Sequence, residues 1–561
     1  MKPLNKESNE VPKILSLIIK NNHIMSTVSR SKYSILIIIS FSASLLPFLS
    51  TLFFKKIIDS VSANEMMLSR YICIYFIILI LIALNNAWNN FVSPLFSQLA
   101  SMQLSKDILN VANKMDLLDF ENSDSQNKIK RALNFSSSVP VSFFLSFLTT
   151  ISTLFSFLLS IAYIWSWNPV ISIVYCLFPM FCLYNYFKIA NIKYDLSRKQ
   201  TEDNKMIWYL QYILTQSSNF KENKITKFGE VLLAKFIKLN QKLYGENYKM
   251  NYSLIKYSIG LELINIVLYG LAFIILIVNL KTGLIIISQF IVINQLLIRC
   301  YQNSKTLTQN LNSLIQNVPY IEEILDVLDW GGSLEVNPEK MTIDEVETIE
   351  FKNVFFKYKN ASTYTIKNMS FKVSKGSLIQ ILGNNGAGKT TLVKLISGLY
   401  EPTHGCIYIN GIERKNILLD SYFKTISVLF QDYAKFELSI EENIFLKEDI
   451  SFEESKQAHL LLQKFTLKEK FLNFEEGIKT RLGFWFSDSQ NVSGGEWQKI
   501  AIIRSITRPF SVLVMDEGNA NLDTQSRYEF SETLLKNKDK IVFLISHNTD
   551  DRIKPDCKIM L

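Results

Sequence analysis

Residues 377–399 read "SLIQILGNNGAGKTTLVKLISGL", an apolar run, a glycine-rich loop and an amphipathic helical pattern in direct succession. That context gives the spacing G-x-x-x-x-G-K-T its meaning as a phosphate cradle. Gly383, Gly386 and Gly388 let the backbone turn its N–H groups inward around phosphate oxygens, aided by the positive end of the following helix. Lys389 would bring a charge to the β- and γ-phosphates, and the Thr390 hydroxyl would serve Mg²⁺, a hard cation that prefers oxygen. A second apolar run, "SVLVMDE" at 511–517, ends in two carboxylates. Asp516 would hold Mg²⁺ and Glu517 would orient and polarise the attacking water. "VLFQDY" at 428–433 places Gln431 within reach of both metal and water, and "IVFLISHN" at 541–548 delivers His547 to a sheet edge. Tyr358 offers an aromatic face to a purine ring.

Positioning these groups calls for short buried strands that end at one edge of a sheet. Strand-like alternation begins at "TIEFKNVFFKY" (348–358), and strands and helices alternate from there on, so residues 347–561 read as an α/β domain. Ahead of it, "WGGSLEVNPEK" lies in a stretch, 319–346, that reads as a linker.

The first 318 residues are different in kind. The chain is 561 residues long and 48% hydrophobic, and the apolar residues concentrate before about residue 300. Crossing a bilayer takes roughly 20 mostly apolar residues. Six segments come near that: 33–54, 71–91, 141–164, 169–187, 257–280 and 284–301. The first is too long for a signal-peptide core and reads as an uncleaved anchor. Lysines and arginines crowd the segments 101–133 and 188–256, which places those segments, both termini and the α/β domain on the cytoplasmic side of a cell membrane. Both segments are too polar for lipid and read as helices continuing beyond the bilayer, with tips at "MDLLDFENSD" (115–124) and "SNFKENKITKFGEV" (218–231) that break the periodicity and would be contact surfaces for the α/β domain, an ordinary helix turn being the alternative. The fold class expected is therefore multidomain: an all-α six-helix transmembrane domain with cytoplasmic helical extensions, then an α/β P-loop cassette.

The net charge of +9 is scattered and forms no dense patch, which argues against nucleic acid and for a solvated surface beside anionic lipid. The six cysteines show no C-x-x-C spacing, so reduced, buried thiols are expected in place of a metal site or disulfides.

The ordered set resembles an ATP-binding cassette (ABC) exporter half-transporter over nearly the whole chain. The resemblance maps Tyr358 onto the adenine-stacking aromatic and "GNNGAGKT" onto the Walker A loop, which brings Asn384, Asn385, Ala387 and the following Thr391 to the ATP. It maps "VSGGE" (492–496) onto the signature, with Ser493, Gly494, Gly495 and Glu496 as nucleotide contacts, "NANLD" (519–523) with Asp523 onto the D-loop, and His547 onto the switch histidine. Val492, Glu496, Ala520 and Asn521 depart from the usual residues of these motifs, and Arg481 and Phe484 stand where many exporters have glutamates. The chain ends at "CKIML", where the family pattern adds a further strand and helix. The resemblance implies that each ATP lies between one cassette's Walker A loop and another's signature. A chain with one copy of each motif would then work as a homodimer, with a paralogous partner as the alternative.

The run "TRLGFWFSDSQNVSGGEWQ", with Trp497 after the signature, looks like the lantibiotic and bacteriocin exporter branch, which implies a peptide cargo moved outward by alternating access. Such a cargo's leader would be removed by another protein, since no peptidase domain is seen before the first span. Polar residues at membrane depth, among them Asn85, Asn265, Asn294 and Glu262, would face a cavity or a neighbouring helix. A flippase or multidrug exporter and a membrane sensor are the alternative readings.

Overall fold

A computed structural model describes residues 7–63, 66–177, 192, 196, 199–333, 340–359, 361–384, 386–517, 522–537, 539–545 and 553–561. The chain forms two compact units. The first takes residues 1–114 and 123–333; the second takes 334–561 together with the short piece 115–122.

The first unit is helical. Among the described residues four helices are long and apolar enough to cross a membrane: Arg30–Val61, Leu68–Lys114, Val139–Trp165 and Phe228–Lys281. They contain four of the six expected spans. The expected span 169–187 lies outside the described residues from 178 on, and 284–301 coincides with the start of the helix Ile287–Ser333. At 1.5 Å per residue, the 47 residues of Leu68–Lys114 reach about 70 Å, more than twice the hydrocarbon thickness, so this helix extends well beyond lipid.

Several polar side chains of these helices meet other helices, although most serines and threonines bond to carbonyls of their own helix. Asn85 accepts from the Ser42 hydroxyl at 2.5 Å and donates to the Ile39 carbonyl at 3.2 Å, and Tyr269 donates to Asn294 at 2.9 Å. Glu262 accepts from the Tyr301 hydroxyl and, at 3.0 Å, from Lys305. Such pairing satisfies groups that hydrocarbon cannot.

The expected linker differs from its reading. The helix from Ile287 runs through Pro319 to Ser333, because a proline inside a long helix costs a hydrogen bond without always ending it. At the other end, Met341 is already fastened to the second unit, donating to Asn416 and accepting from Leu418, both at 2.8 Å.

The second unit holds two sheets. An antiparallel sheet has the order β2-β1-β4-β5, from Thr348–Phe356 (β1), Ile366–Ser374 (β2), His404–Ile409 (β4) and Ile412–Glu413 (β5). A parallel sheet has the order β6-β7-β8-β3-β9, from Leu378–Leu382 (β3), Ile426–Leu429 (β6), Val512–Asp516 (β7), Ile541–Ile545 (β8) and Cys557–Met560 (β9). Strands β7 and β8 are buried throughout, as continuously apolar runs covered on both faces must be. One core lies between the sheets around Ile379, Val393, Tyr400 and Val514. A second gathers Ile440, Ile444, Phe465 and Ile500.

Candidate functional site

Parallel register brings the carboxyl ends of separate strands to one edge, where ligands of open α/β sheets bind. Leu429 of β6 pairs with Met515 of β7, and Asp516 pairs with Ile545 of β8. Gln431, Asp516 and Glu517 therefore emerge side by side, beside the loop that follows β3. They border a cleft of about 700 Å³ that also takes in Tyr358, Lys389, Thr390 and Thr391.

The loop needs its glycines for different reasons. Gly386 and Gly388 adopt φ of 82° and 100°, a region that favours glycine. A Cβ on Gly388 would also stand 3.0 Å from Ile366 Cδ1 and 3.2 Å from the Thr365 carbonyl. Gly388 caps the helix Lys389–Ile396, whose first residues, Lys389, Thr390 and Thr391, line the cleft. The Lys389 ammonium reaches back to the Gly383 carbonyl at 2.7 Å, so its charge sits in the mouth of the loop. Asn384 and Ala387 lie along the loop, with an Ala387-to-Asn384 backbone bond of 3.1 Å. Asn385 lies outside the described residues.

The acidic pair divides by exposure. Asp516 is 3% exposed at the floor of the cleft, while Glu517 is half-buried and carries φ of 54°. A positive φ at a non-glycine residue is strained, and such strain collects at functional sites. Gln431 Nε2 donates to Glu517 Oε2 at 2.9 Å, joining the two residues that the sequence assigns to water. Thr390, Asp516 and Gln431 offer oxygens only, a donor set that fits Mg²⁺. Tyr358 donates to or accepts from the Thr391 hydroxyl at 3.0 Å. His547 lies outside the described residues, as do Ala520 and Asn521.

The signature residues form a helix start. Ser493 is the N-cap of Gly494–Thr507: its hydroxyl accepts from the Glu496 amide at 3.3 Å, and the Glu496 carboxylate accepts from the Ser493 amide at 2.6 Å. Lys470 holds the same carboxylate at 2.7 and 2.8 Å. Burial raises the Glu496 carboxyl, but Lys470 and the Ser493 groups outweigh it and leave it below the usual range. The side chain of Glu496 is thus engaged within its own cassette. Asp523 is likewise engaged. It caps Thr524–Lys536 by accepting from Ser526 N at 2.8 Å, and it pairs with Lys499.

Two connections escaped sequence reading. Gln498 Nε2 donates to the Glu517 carbonyl at 3.3 Å, and the Tyr433 hydroxyl donates to the Gly494 carbonyl at 3.0 Å. Gln498 lies one helical turn after Gly494, a spacing that places both on one face. Trp497, by contrast, is only 5% exposed and packs in the second core, whereas Phe484, Trp485 and Phe486 are 50% exposed or more.

A phosphate loop after β3, a buried acid and a strained glutamate at the end of β7, and a capped glycine pair on a separate helix define a nucleotide-hydrolysing cassette joined to membrane-crossing helices. Residues 366–520 match the family model described as ABC transporter. The chain is an ABC transporter ATP-binding domain fused to a transmembrane domain, an exporter that hydrolyses ATP to drive transport. It is 27% identical over 521 residues to a nisin transport ATP-binding protein of Lactococcus lactis subsp. lactis, covering 92% of this chain and 87% of that one. It is 28% identical over 559 residues to a subtilin transport ATP-binding protein of Bacillus subtilis, covering 96% and 87%. In fold it is similar to a bacterial Atm1-family ABC exporter solved with ATP bound, at a TM-score of 0.81 and 18% identity over 95% of this chain and 93% of that one.

Proposed function

We propose that two copies of this chain form an exporter in the cell membrane that drives a lantibiotic- or bacteriocin-like peptide out of the cytoplasm. The observation that carries the cargo reading is similarity along nearly the whole chain, membrane helices included, to proteins named for nisin and subtilin transport.

Each ATP would lie between the phosphate loop of one copy and Ser493, Gly494 and Gly495 of the other. The loop amides and Lys389 bind the β- and γ-phosphates, and Tyr358 stacks on the adenine. Thr390, Asp516 and Gln431 would hold Mg²⁺, which when bound neutralises charge on the phosphate oxygens. Glu517 accepts the hydrogen bond of the attacking water, Gln431 fixes the orientation of that carboxylate, and His547 completes the set. Cassette closure on ATP opens the membrane domain outward, and hydrolysis resets it.

The test is reconstitution in vesicles with basic peptides, lipids and dyes offered in turn. Peptides should stimulate ATP hydrolysis and accumulate, and the Glu517→Gln protein should do neither. Stimulation by lipids or dyes alone would refute the cargo. For the shared sites, Lys389→Ala chains mixed with Ser493→Arg chains should keep one whole site, and a mixture with no ATP-dependent cassette closure would refute them.

A further inference from the structure

A stacking aromatic works only if its ring is held at a fixed angle, and the second unit shows what holds Tyr358. Below it lie two rings stacked flat on each other, Phe356 and Tyr400, with centroids 4.9 Å apart and planes 11° apart. Tyr358 stands upright on both, meeting Phe356 edge-on at 5.2 Å and 83° and Tyr400 at 5.8 Å and 86°. Its hydroxyl is tied to Thr391. Edge-to-face contacts fix an angle as well as a distance, so the orientation of Tyr358 depends on the orientation of Tyr400.

Tyr400 is itself fixed from outside the cassette sequence. Its ring is 1% exposed, and its hydroxyl donates to the carboxylate of Glu121, which caps the short helix Leu117–Phe120. Lys394 donates to Glu121 at 2.7 Å and to the Tyr400 hydroxyl at 3.1 Å, and its ammonium lies over the Tyr400 ring at 5.0 Å. Lys394 stands one turn after Thr391 on the helix that follows the phosphate loop. The contacts therefore close a circuit, from Glu121 through Tyr400 and Tyr358 to Thr391, and back along the helix through Lys394.

Two further observations seat the same segment. Leu117 and Leu118 pack against the cassette core, and Asp119 pairs at 3.0 Å with Lys359, the residue next to Tyr358. Burial raises the Glu121 carboxyl, but the hydrogen bonds from Lys394 and Tyr400 outweigh it and hold the group ionised.

We propose that Tyr400 is a positioning residue for the ring of Tyr358, held in place by Glu121, so that the seating of the segment 115–122 sets the affinity of the cassette for the adenine base. The proposal rests on the reading of Tyr358 as the adenine-stacking side chain. It assigns Glu121 an effect on the base and none on the phosphates, because the circuit touches the cleft only at Tyr358 and at the Thr391 hydroxyl.

The experiment uses the full-length protein in lipid nanodiscs. It reads the KM for ATP, kcat and the inhibition constant of inorganic triphosphate, which has no base to stack. Tyr400→Phe and Glu121→Ala should each raise the KM for ATP about three- to tenfold, the scale of a lost ring contact, with kcat within about twofold and the triphosphate constant unchanged. Glu121→Gln keeps an oxygen that accepts from the phenol, and should restore the KM. In a Tyr358→Ala background, Tyr400→Phe should add nothing further. An unchanged KM in both single variants, an equal loss for triphosphate, or a loss that persists without Tyr358 would overturn the proposal. If Tyr358→Ala alone leaves the KM for ATP unchanged, the stacking reading fails; if it raises the KM while Tyr400→Phe and Glu121→Ala do not, only the present inference fails.

Discussion

Replacing Trp497 separates a core role from a cargo role. The indole is 5% exposed and packs with Ile440, Ile444, Phe465 and Ile500. A buried aromatic of this kind removes about 200 Å² from water, worth about 5 kcal/mol at about 25 cal/mol per Å². Trp497→Ala should therefore cost about 4 kcal/mol after partial collapse of the cavity. At about 2–4 °C per kcal/mol for a unit of this size, the cassette's melting transition should fall by about 8–16 °C. Trp497→Phe, which keeps most of the apolar area, should cost about 1–2 kcal/mol and move the transition by no more than about 8 °C. Scanning calorimetry of the full-length protein measures this, with the cassette's transition marked as the one that ATP raises. Peptide-stimulated ATP hydrolysis by Trp497→Phe should retain the wild-type ranking of cargoes. A Trp497→Ala protein that melts within about 2 °C of wild type yet loses cargo stimulation would refute the reasoning, since burial would then contribute far less than its area requires.

Gly388→Ala should abolish ATP hydrolysis and weaken nucleotide binding, as read by turnover and by competition with a fluorescent ATP analogue, because a φ of 100° strains any L side chain and the new Cβ would crowd Ile366 and Thr365 at 3.0–3.2 Å. Asp523 governs part of the acid limb of stability. Burial raises its carboxyl, but Lys499 and the Ser526 amide outweigh that and hold it far below the usual range. Its contribution is present above the unfolded aspartate pKa, about 4, and is lost as pH falls toward the folded value. Asp523→Asn should accordingly flatten the fall in melting temperature between about pH 4 and lower pH, and an unchanged slope would count against the pair.

What could be read in advance follows from how local each requirement is. The phosphate loop announces itself because backbone turning, charge and hydroxyl are supplied by eight adjacent residues, Gly383–Thr390. Gln431 and the pair Asp516–Glu517 were legible because each ends a buried strand, and a parallel sheet aligns such ends without further instruction. Glu496 and Asp523 were legible as motif members but not in their engagement. Capping partners three residues on are visible in sequence, whereas Lys470 and Lys499 as ion-pair partners are not. Trp497 carried a signal that motif dialect obscured, for with Ile500 and Ala501 it follows the i, i+3, i+4 spacing of a buried helix face. The grouping of 115–122 with residues beyond 334 was legible only as the broken periodicity at that tip, while its particular partners were not, because the contacts of Asp119 and Glu121 span 240 residues or more.

The signature helix and the hydrolytic residues of one cassette serve different nucleotides in the proposed dimer, yet they are not independent within it. Tyr433, two residues after Gln431, holds the Gly494 carbonyl, and Gln498, on the same helix face as Gly494, holds the carbonyl of Glu517. Gln431 and Glu517 are bonded to each other at 2.9 Å. The four residues thus tie the water-handling pair to the helix start by two short routes. A ligand that draws Gln431 toward a metal must strain the first route, and one that turns Glu517 about its positive φ must strain the second. Packed groups joined this closely shift between discrete arrangements more readily than they deform one at a time. In the proposed dimer, the way the glycines at 494 and 495 are offered to a second copy would therefore depend on whether the first cassette's own site is filled.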